Sequence, residues 1–218
     1  GNPQREKDMF HILIQQDPVG IIAVAPRIVA DDLREYGEYT KIVVIDRPLQ
    51  NTGGSLGAVF FDNYQGSAAV AQYFLDQGHR RFACIMGPKK TVANVSFRTS
   101  GFVDALLTAG IPSGDIAVEY GEFHFTSGFE LTKNLLTAGS RPTALFAGND
   151  TMAWGAMEAC KSMNVAVPED ISIAGFDDVY FSVLLNPQLT TVAVPKSKAG
   201  ELGMEMLLRM VEKGSISE

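Results

Sequence analysis

Short runs of apolar residues recur along the chain at regular intervals, and segments with helical periodicity separate most of them. Apolar runs of four to seven residues are typical of strands buried on both faces of a sheet. The runs are GIIAVAP, KIVVID, GAVFFD, RFACIMG, DIAVEYGEF, TALFAGND, ISIAGFDD and TTVAVP. Strands that alternate with helices predict a parallel, doubly wound α/β architecture.

The helical segments between these runs carry recognisable start and stop signals. The segment 63–78 ends at Gly78 and the segment 94–110 ends at Gly110, and a glycine at that position suits a helix C-terminus. The segments 126–139 and 149–164 have Ser, Thr or Asp near their starts, where such side chains cap a helix. Residues 5–16 form a further predicted helix.

Polar or small residues follow several of the predicted strands. In open parallel sheets, ligands collect outside the carboxyl ends of the strands, so these residues are candidates for the lining of one polar crevice. A single Asp after a strand can equally cap the next helix or close a turn. The strand ends in question are Asp46-Arg47, Gly87-Pro88, Gly121-Glu122-Phe123, Gly148-Asn149-Asp150 and Asp177-Asp178.

The composition is that of an ordinary globular protein, and it lacks the positive charge that is typical of a nucleic-acid-binding domain. The 218 residues are 46% hydrophobic and 20% charged, and the formal net charge is −7. This length suggests one or two domains. The densest basic stretches, GHRR at 78–81 and PKK at 88–90, are too short to neutralise many phosphates. We therefore expect that the chain alone does not bind nucleic acid.

The sequence contains no enzyme motif in the structural context that the motif requires. GGSLG at 53–57 matches the G-x-S-x-G pattern of serine nucleophiles, but a turn-like segment with a proline precedes it where a strand is required. We interpret it as a flexible loop. Glycine-rich dinucleotide and phosphate-binding motifs are missing from the sequence. We expect neither catalysis nor a cofactor.

The sequence offers no cluster of metal ligands. His11, His79 and His124 are distant from one another and from the cysteines in the sequence. Cys84 and Cys160 sit among apolar neighbours and are predicted to be buried hydrophobic residues. No apolar run is long enough to span a membrane, and no segment has the pattern of a signal peptide.

Four ordered motifs closely resemble the effector-binding domain of the lactose-repressor/galactose-repressor (LacI/GalR) family. They cover nearly the whole chain, and the P-x-LTTV phrase after GFDD is more typical of these regulators than of periplasmic sugar receptors, which share the fold. The motifs are YFLDQGHRRFACIMGP, SFRTSGFVDALLTAGI, the segment from PTALFAGND to ISIAGFDD, and NPQLTTVAVPKSKAGELGMEMLL.

The resemblance implies a periplasmic-binding-protein-like fold of type I, with two doubly wound parallel-sheet lobes joined by crossover strands. Residues 1–87 and 192–218 would form the lobe nearer the DNA-binding headpiece, and residues 88–191 the other lobe. A small effector would lie in the cleft between them. The family's opening strand-helix-strand, its helix-turn-helix headpiece and its final strand have no counterpart in the sequence, so we expect an incomplete first lobe.

By the same resemblance, certain residues would bind the effector. Arg98 matches the arginine that holds the ligand, since its guanidinium offers a rigid fork to hydroxyls or a carboxylate. Asp177 matches an acid that accepts hydrogen bonds from sugar hydroxyls, while Asp178 would cap the following turn. Phe123 matches an aromatic residue that stacks on a ring. Further candidates are Asn149, Asn94, Asp46, Arg47 and, more weakly, His124, with Asp150 able to cap the next helix.

The resemblance further implies a cytoplasmic transcription regulator that senses a sugar or, as an alternative, a nucleobase. Its operator DNA would be bound only through the headpiece. The apolar run at 179–187 lies where family members often pair, which predicts a homodimer. A periplasmic sugar-binding receptor of a transport or chemotaxis system is the rival function. We expect neither residue 98 nor residue 177 to belong to the core.

Overall fold

The computed structural model describes residues 2–50, 52–89, 93–138 and 141–215. Its strands are β1 (Gly20–Val24), β2 (Lys41–Ile45), β3 (Leu56–Val59), β4 (Phe82–Met86), β5 (Ile116–Tyr120), β6 (Ala144–Ala147), β7 (Ser172–Asp177) and β8 (Thr190–Ala193). Its α-helices are α1 (Pro3–Ile14), α2 (Ala30–Tyr36), α3 (Asn63–Asp76), α4 (Ala93–Thr108), α5 (Phe125–Thr137), α6 (Asp150–Ser162) and α7 (Lys196–Ser215). Strands alternate with helices over most of the chain, as the apolar pattern predicts.

The chain divides into two compact units. Unit 1 comprises Gly1–Phe61 and Pro195–Glu218, and unit 2 comprises Asp62–Val194. The family resemblance implies lobe boundaries near residues 87 and 191 instead. Strand β4 pairs with β5 and β6, and α3 packs on α4, so residues 62–87 belong by their contacts to unit 2. The lobe boundaries inferred from the resemblance stay a prediction.

Unit 1 is built on a parallel sheet with the strand order β1-β2-β3. One hydrophobic cluster includes residues of α1, α2 and all three strands, and within it the rings of Phe10 and Tyr36 stack with centroids 5.0 Å apart. Helix α7 also packs on the sheet, where glycine makes close approach feasible. A Cβ atom at Gly20 would lie 2.5 Å from the Leu207 side chain, so a larger residue would push the helix away.

Unit 2 is built on a five-stranded parallel sheet with the order β5-β4-β6-β7-β8. Its central strands are buried on both faces, which explains their continuous apolar sequence. In β4, Phe82, Cys84 and Met86 join the cluster that includes residues of α3 and α4. The alternate residues Ala83 and Ile85 join the cluster that includes residues of α5 and α6. This arrangement confirms the doubly wound α/β fold.

The two cysteines behave as the sequence predicts. Cys84 and Cys160 are free thiols with no exposed surface, and they belong to opposite cores of unit 2. Burial raises the pKa of Cys84 to about 12 and that of Cys160 to about 11. Both thiols therefore stay protonated near neutral pH and pack as small hydrophobic groups.

The segment with the G-x-S-x-G pattern forms a turn that leads directly into a strand. Gly53 and Leu56 form an isolated antiparallel bridge, and β3 begins at Leu56. Ser55 therefore precedes a strand and does not stand between a strand and a helix, which removes the geometry that a serine nucleophile requires.

Candidate functional site

The candidate residues of unit 2 lie around the carboxyl ends of adjacent strands. Strands β4, β6 and β7 are neighbours in the parallel sheet, so their carboxyl ends share one edge. Gly87 follows β4, Gly148 follows β6, and Asp177 is the last residue of β7. This edge is where ligands bind in open α/β sheets.

Arg98 on α4 connects the start of α3, the residue after β6 and the end of β7 through its guanidinium group. Its Nε donates to Asn63 Oδ1 at 2.7 Å, its Nη1 donates to the Gly148 carbonyl oxygen at 2.5 Å, and its Nη2 donates to Asp177 Oδ1 at 3.0 Å. The guanidinium carbon also lies 3.8 Å from the centre of the Phe176 ring. These contacts use three of the five N–H donors and hold the plane of the group in place.

The burial of Arg98 corrects one expectation. The arginine is only 5% exposed, contrary to the expectation that it lies outside the core. The helical pattern around residue 98 cannot show its burial, because its hydrogen-bond partners lie 35, 50 and 79 residues away in sequence. A buried guanidinium is stable only when carbonyl and carboxylate oxygens replace water around it, as they do here.

Asp177 ends its strand in an unusual backbone conformation. Its φ is 102°, and the φ of Asp178 is 49°, so two successive non-glycine residues adopt positive values. The Asp177 side chain is 31% exposed, next to the buried arginine. Backbone strain of this kind persists where the surroundings determine the conformation, and it is common at ligand sites.

Phe123 lies against the same strand ends. A Cβ atom at Gly87 would lie 2.4 Å from the Phe123 ring, and one at Gly148 would lie 3.3 Å from it. Only a residue without a side chain at position 87 leaves this space to the ring. Gly148 therefore contacts Phe123 through one part of its backbone and Arg98 through its carbonyl, which brings the two candidates together.

The helix-capping role after β6 belongs to Asn149 and not to Asp150. Asn149 is the N-cap of α6, and its Oδ1 accepts a hydrogen bond from the Met152 backbone N–H at 2.8 Å. Asp150 does not cap the helix. Its fully buried carboxylate accepts hydrogen bonds from the turn after β7 instead, at the Val179 backbone N–H and the Ser182 hydroxyl.

Asn94 and His124 occupy positions close to the main candidates. Asn94 lies one helical turn before Arg98 on α4 and is 4% exposed. His124 is the N-cap of α5, and its Nδ1 contacts the Thr126 hydroxyl at 2.9 Å and accepts from the Ser127 N–H at 3.4 Å. In the structure His124 caps the start of α5, and its role towards a ligand stays a prediction.

Asp46 and Arg47 belong to unit 1, at the carboxyl end of β2. Asp46 has a φ of 61°, again a positive value at a strand end. Arg47 Nη1 donates to the Pro26 carbonyl oxygen at 2.9 Å and also bonds the Ile28 carbonyl oxygen. Burial lowers the pKa of Arg47 from its usual value. Two backbone carbonyls therefore fix the Arg47 side chain within its own unit.

Sequence reasoning missed several residues of this site. Asn63 and Phe176 contact the Arg98 guanidinium, and Thr191 donates to Asp150 at 2.5 Å. Asn63 comes directly after the predicted strand run that ends in FFD. Its position after a strand end is therefore a sequence signal that could have marked it as a site residue. The contact of Thr191 with Asp150 has no local signal, because 41 residues separate the two.

Other kinds of site find no support among the described residues. They contain no group of three or more His, Cys, Asp or Glu side chains that could hold a metal ion. None of the helices in the described ranges is both long enough and apolar enough to cross a membrane.

The chain is similar to a known family and to named regulators. Residues 71–218 match the family described as periplasmic binding protein-like domain. The ribose operon repressor of Escherichia coli (strain K12) is 29% identical over 219 residues, which cover 100% of this chain and 66% of that protein. The chain thus spans slightly less than two thirds of this relative.

Solved structures of transcription regulators are also similar to this chain. A LacI family transcriptional regulator from Enterococcus faecium with bound ribose is 26% identical, has a TM-score of 0.84, and is matched over 94% of this chain and 73% of its own. The lac repressor dimer bound to operator and the anti-inducer ONPF is 26% identical, with a TM-score of 0.86 and coverage of 98% and 73%. These similarities confirm the family resemblance that the sequence motifs indicate.

Proposed function

The chain belongs to the periplasmic binding protein-like domain family, and we propose that it is the effector-sensing part of a transcription regulator whose effector is a sugar. The similar proteins are transcriptional repressors, not enzymes. One of the similar regulators was crystallised with ribose. Both facts support a regulator over the rival periplasmic receptor.

The observation that carries this proposal is the pairing of Arg98 with Asp177. The arginine is buried and fixed by three hydrogen bonds, and the side chain of its partner Asp177 is partly exposed. A sugar presents hydroxyl groups that can donate to a carboxylate and accept from a guanidinium, and charge-assisted hydrogen bonds of this kind are the strong ones. The pair therefore suits a polyol.

Phe123 adds the apolar surface that such a ligand needs. The ring lies over the two glycines at the ends of β4 and β6, next to the carbonyl that accepts from Arg98. Aromatic faces pack well on the apolar face of a sugar ring, and equally on a flat nucleobase. The carboxylate favours the sugar, because a ring rich in hydroxyls offers more donors to it than a nucleobase does. Asn149 and Asn94 would complete the polar lining.

The mechanism that fits this site is a shift between two conformations. An effector that binds one arrangement of the protein more tightly raises the population of that arrangement. In a dimeric repressor, such a shift changes the spacing of two DNA-binding headpieces, and with it the affinity for operator half-sites. Operator binding would depend on the headpiece, and the regulator would act in the cytoplasm.

An exposed apolar surface on unit 2 supports a homodimer. Tyr180 is 85% exposed, Leu184 is 72% exposed and Val183 is 60% exposed, all within the run at 179–187. The Phe181 ring lies 5.6 Å from the Trp154 ring, which is itself 40% exposed, so the surface continues onto α6. Apolar patches of this kind mark interfaces, and a second copy of the chain would bury both patches at once.

A thermal-shift panel tests the class of effector. D-ribose, other monosaccharides, adenine and an amino acid would each be added to the protein at the same concentration. A ligand at a hundredfold excess over its Kd stabilises the folded state by about 2.7 kcal/mol, which raises Tm by roughly 5–10 °C. We expect such a shift with at least one monosaccharide. A shift with adenine and with none of the sugars would contradict the proposal.

A further inference from the structure

Asp150 has no contact that the proposed effector site requires, yet it is a fully buried carboxylate in the middle of unit 2. Its Oδ2 accepts hydrogen bonds at 2.8 Å from both the Val179 backbone N–H and the Ser182 hydroxyl. Its Oδ1 accepts from the Thr191 hydroxyl at 2.5 Å. One carboxylate thus joins the start of α6, the turn after β7 and the strand β8.

The fold leaves a space for this carboxylate. A Cβ atom at Gly175 would lie 2.3 Å from Asp150 Oδ1, so any larger residue at this position of β7 would collide with it. Strands rarely contain glycine in their interior, because it weakens them, except where another group must come close. The glycine at position 175 therefore belongs to the same arrangement as the buried acid.

The backbone beside this carboxylate is the strained part of the site. Asp177 and Asp178 have positive φ values of 102° and 49°, and the next residue, Val179, donates its N–H to Asp150. The Thr191 hydroxyl that donates to Asp150 also accepts from the Asp178 N–H at 3.4 Å. A strained backbone conformation persists only when contacts with the surrounding structure hold it in place, and these hydrogen bonds are such contacts.

We propose that Asp150 is a positioning residue for the effector site: its carboxylate fixes the turn after β7 and thereby sets where the Asp177 carboxylate stands relative to Arg98. This inference rests on the proposed function of Asp177. The inference also concerns the apolar run at 179–187. Ser182, whose hydroxyl donates to Asp150, lies within that run and is 1% exposed. The same acid thus connects an effector-binding residue to the surface proposed for the dimer.

Three variants of β8 separate a positioning role from a general effect on folding. Thr191→Val keeps the shape of the side chain and removes the hydroxyl, and Thr191→Ser restores a hydroxyl at the same place. Thr190→Val is the matched control, because it makes the same chemical change at the preceding, exposed residue of the strand. Asp150→Asn tests the acid itself, since an amide has only one acceptor oxygen for the donors around it.

Two measurements are made on the protein and on each variant. Hydrogen exchange of the backbone amides at 177–184 reports the turn without any ligand, and calorimetry reports the Kd for D-ribose. We expect Asp150→Asn and Thr191→Val to speed exchange at 177–184 by about tenfold, with the other strands of unit 2 protected as before. D-ribose affinity should fall by about tenfold in both variants, while Thr191→Ser and Thr190→Val stay close to the parent protein.

The outcomes distinguish this inference from the proposed function. Unchanged exchange at 177–184 in Asp150→Asn would overturn the inference, and so would unchanged exchange in Thr191→Val if the Asn variant fails to fold. A uniform rise in exchange throughout unit 2 would overturn it as well, because it would show a general loss of stability. If the parent protein binds neither D-ribose nor another monosaccharide of the thermal-shift panel, the proposed function fails, and the exchange data alone decide whether Asp150 fixes the turn.

Discussion

Nη2 of Arg98 lies 3.0 Å from Oδ1 of Asp177, and the arginine side chain is nearly buried while the aspartate side chain is about one-third exposed. The buried partner is held by Asn63 and by the Gly148 carbonyl oxygen as well. The pair therefore has an inner side that belongs to the fold and an outer side that a ligand can reach. This asymmetry separates the effects expected from changing either residue.

Replacing Arg98 should destabilise unit 2 even without effector. Arg98→Ala removes three hydrogen bonds and leaves oxygen atoms of Asn63 and Gly148 without this donor, so we expect a loss of at least about 3 kcal/mol in the free energy of unfolding. Urea unfolding followed by the fluorescence of Trp154, the only tryptophan of the sequence, measures unit 2 directly. Arg80→Ala, at an exposed arginine, is the control and should cost less than about 0.5 kcal/mol. Equal costs for the two variants would refute the structural role of Arg98.

His79 should make the stability of the protein depend on pH. Its Nδ1 lies 3.0 Å from the Thr143 hydroxyl and its Nε2 lies 3.0 Å from the Ser172 hydroxyl, at the amino ends of β6 and β7. Burial lowers the pKa of His79 below its usual value of about 6.5. Between these two pKa values the unfolded chain binds more protons than the folded chain, so stability is complete above about pH 6.5 and falls as the pH drops towards the lowered pKa.

The variant His79→Gln isolates this contribution, because an amide offers one donor and one acceptor to the two hydroxyls but does not titrate in this range. We expect the Tm of the parent protein to fall more between pH 7.5 and pH 5.5 than the Tm of the variant. Parallel Tm-against-pH curves for the two proteins would show that His79 makes no such contribution.

The exposed apolar run after β7 should control self-association. Leu184→Asp places a charge on a side chain that is 72% exposed, which should disturb a folded monomer little but oppose burial in an interface. Sedimentation at micromolar concentration should show the parent protein as a dimer and this variant shifted towards monomer. Leu107→Asp, at a 45% exposed leucine of α4, is the control and should remain dimeric. A monomeric parent protein at this concentration would contradict the predicted interface.

Local sequence patterns are sufficient to locate the strands and helices α3, α4, α5 and α6. The alternation of Phe82, Cys84 and Met86 with Ala83 and Ile85 produces two buried faces, and this is visible as a continuous apolar run. Helix α2 has only 7 residues, of which Leu33 and Tyr36 are buried, too few to form a periodic pattern. The apolar pattern alone does not locate α7 either, although residues 196–208 of this helix lie in the fourth motif of the family resemblance.

The chemistry of the site depended on contacts that sequence patterns do not contain. Asp177 was found because it follows a strand and matches a motif, but its positive φ and its contact with Arg98 are tertiary features. The sequence allows Asp150 to cap the next helix, since Asp is common there, whereas in the structure Asn149 takes the cap and the acid bonds to the turn after β7. Neighbouring polar residues of similar size compete for such roles, and only the fold decides between them.

Calorimetric titration with D-ribose, or with the monosaccharide that raises Tm most, tests the central claim on two adjacent residues. Asp177→Asn and Asp178→Asn make the same change at successive positions that both have positive φ values, so the second variant is a matched control. An amide replaces an acceptor-only group by one that also donates, and it mispairs with hydroxyl donors. We expect Asp177→Asn to weaken binding by about 1.5–3 kcal/mol, or roughly ten- to a hundredfold in Kd, and Asp178→Asn to change Kd by less than about threefold. Equal affinity in the Asp177→Asn variant and the parent protein would contradict the account and place the effector elsewhere.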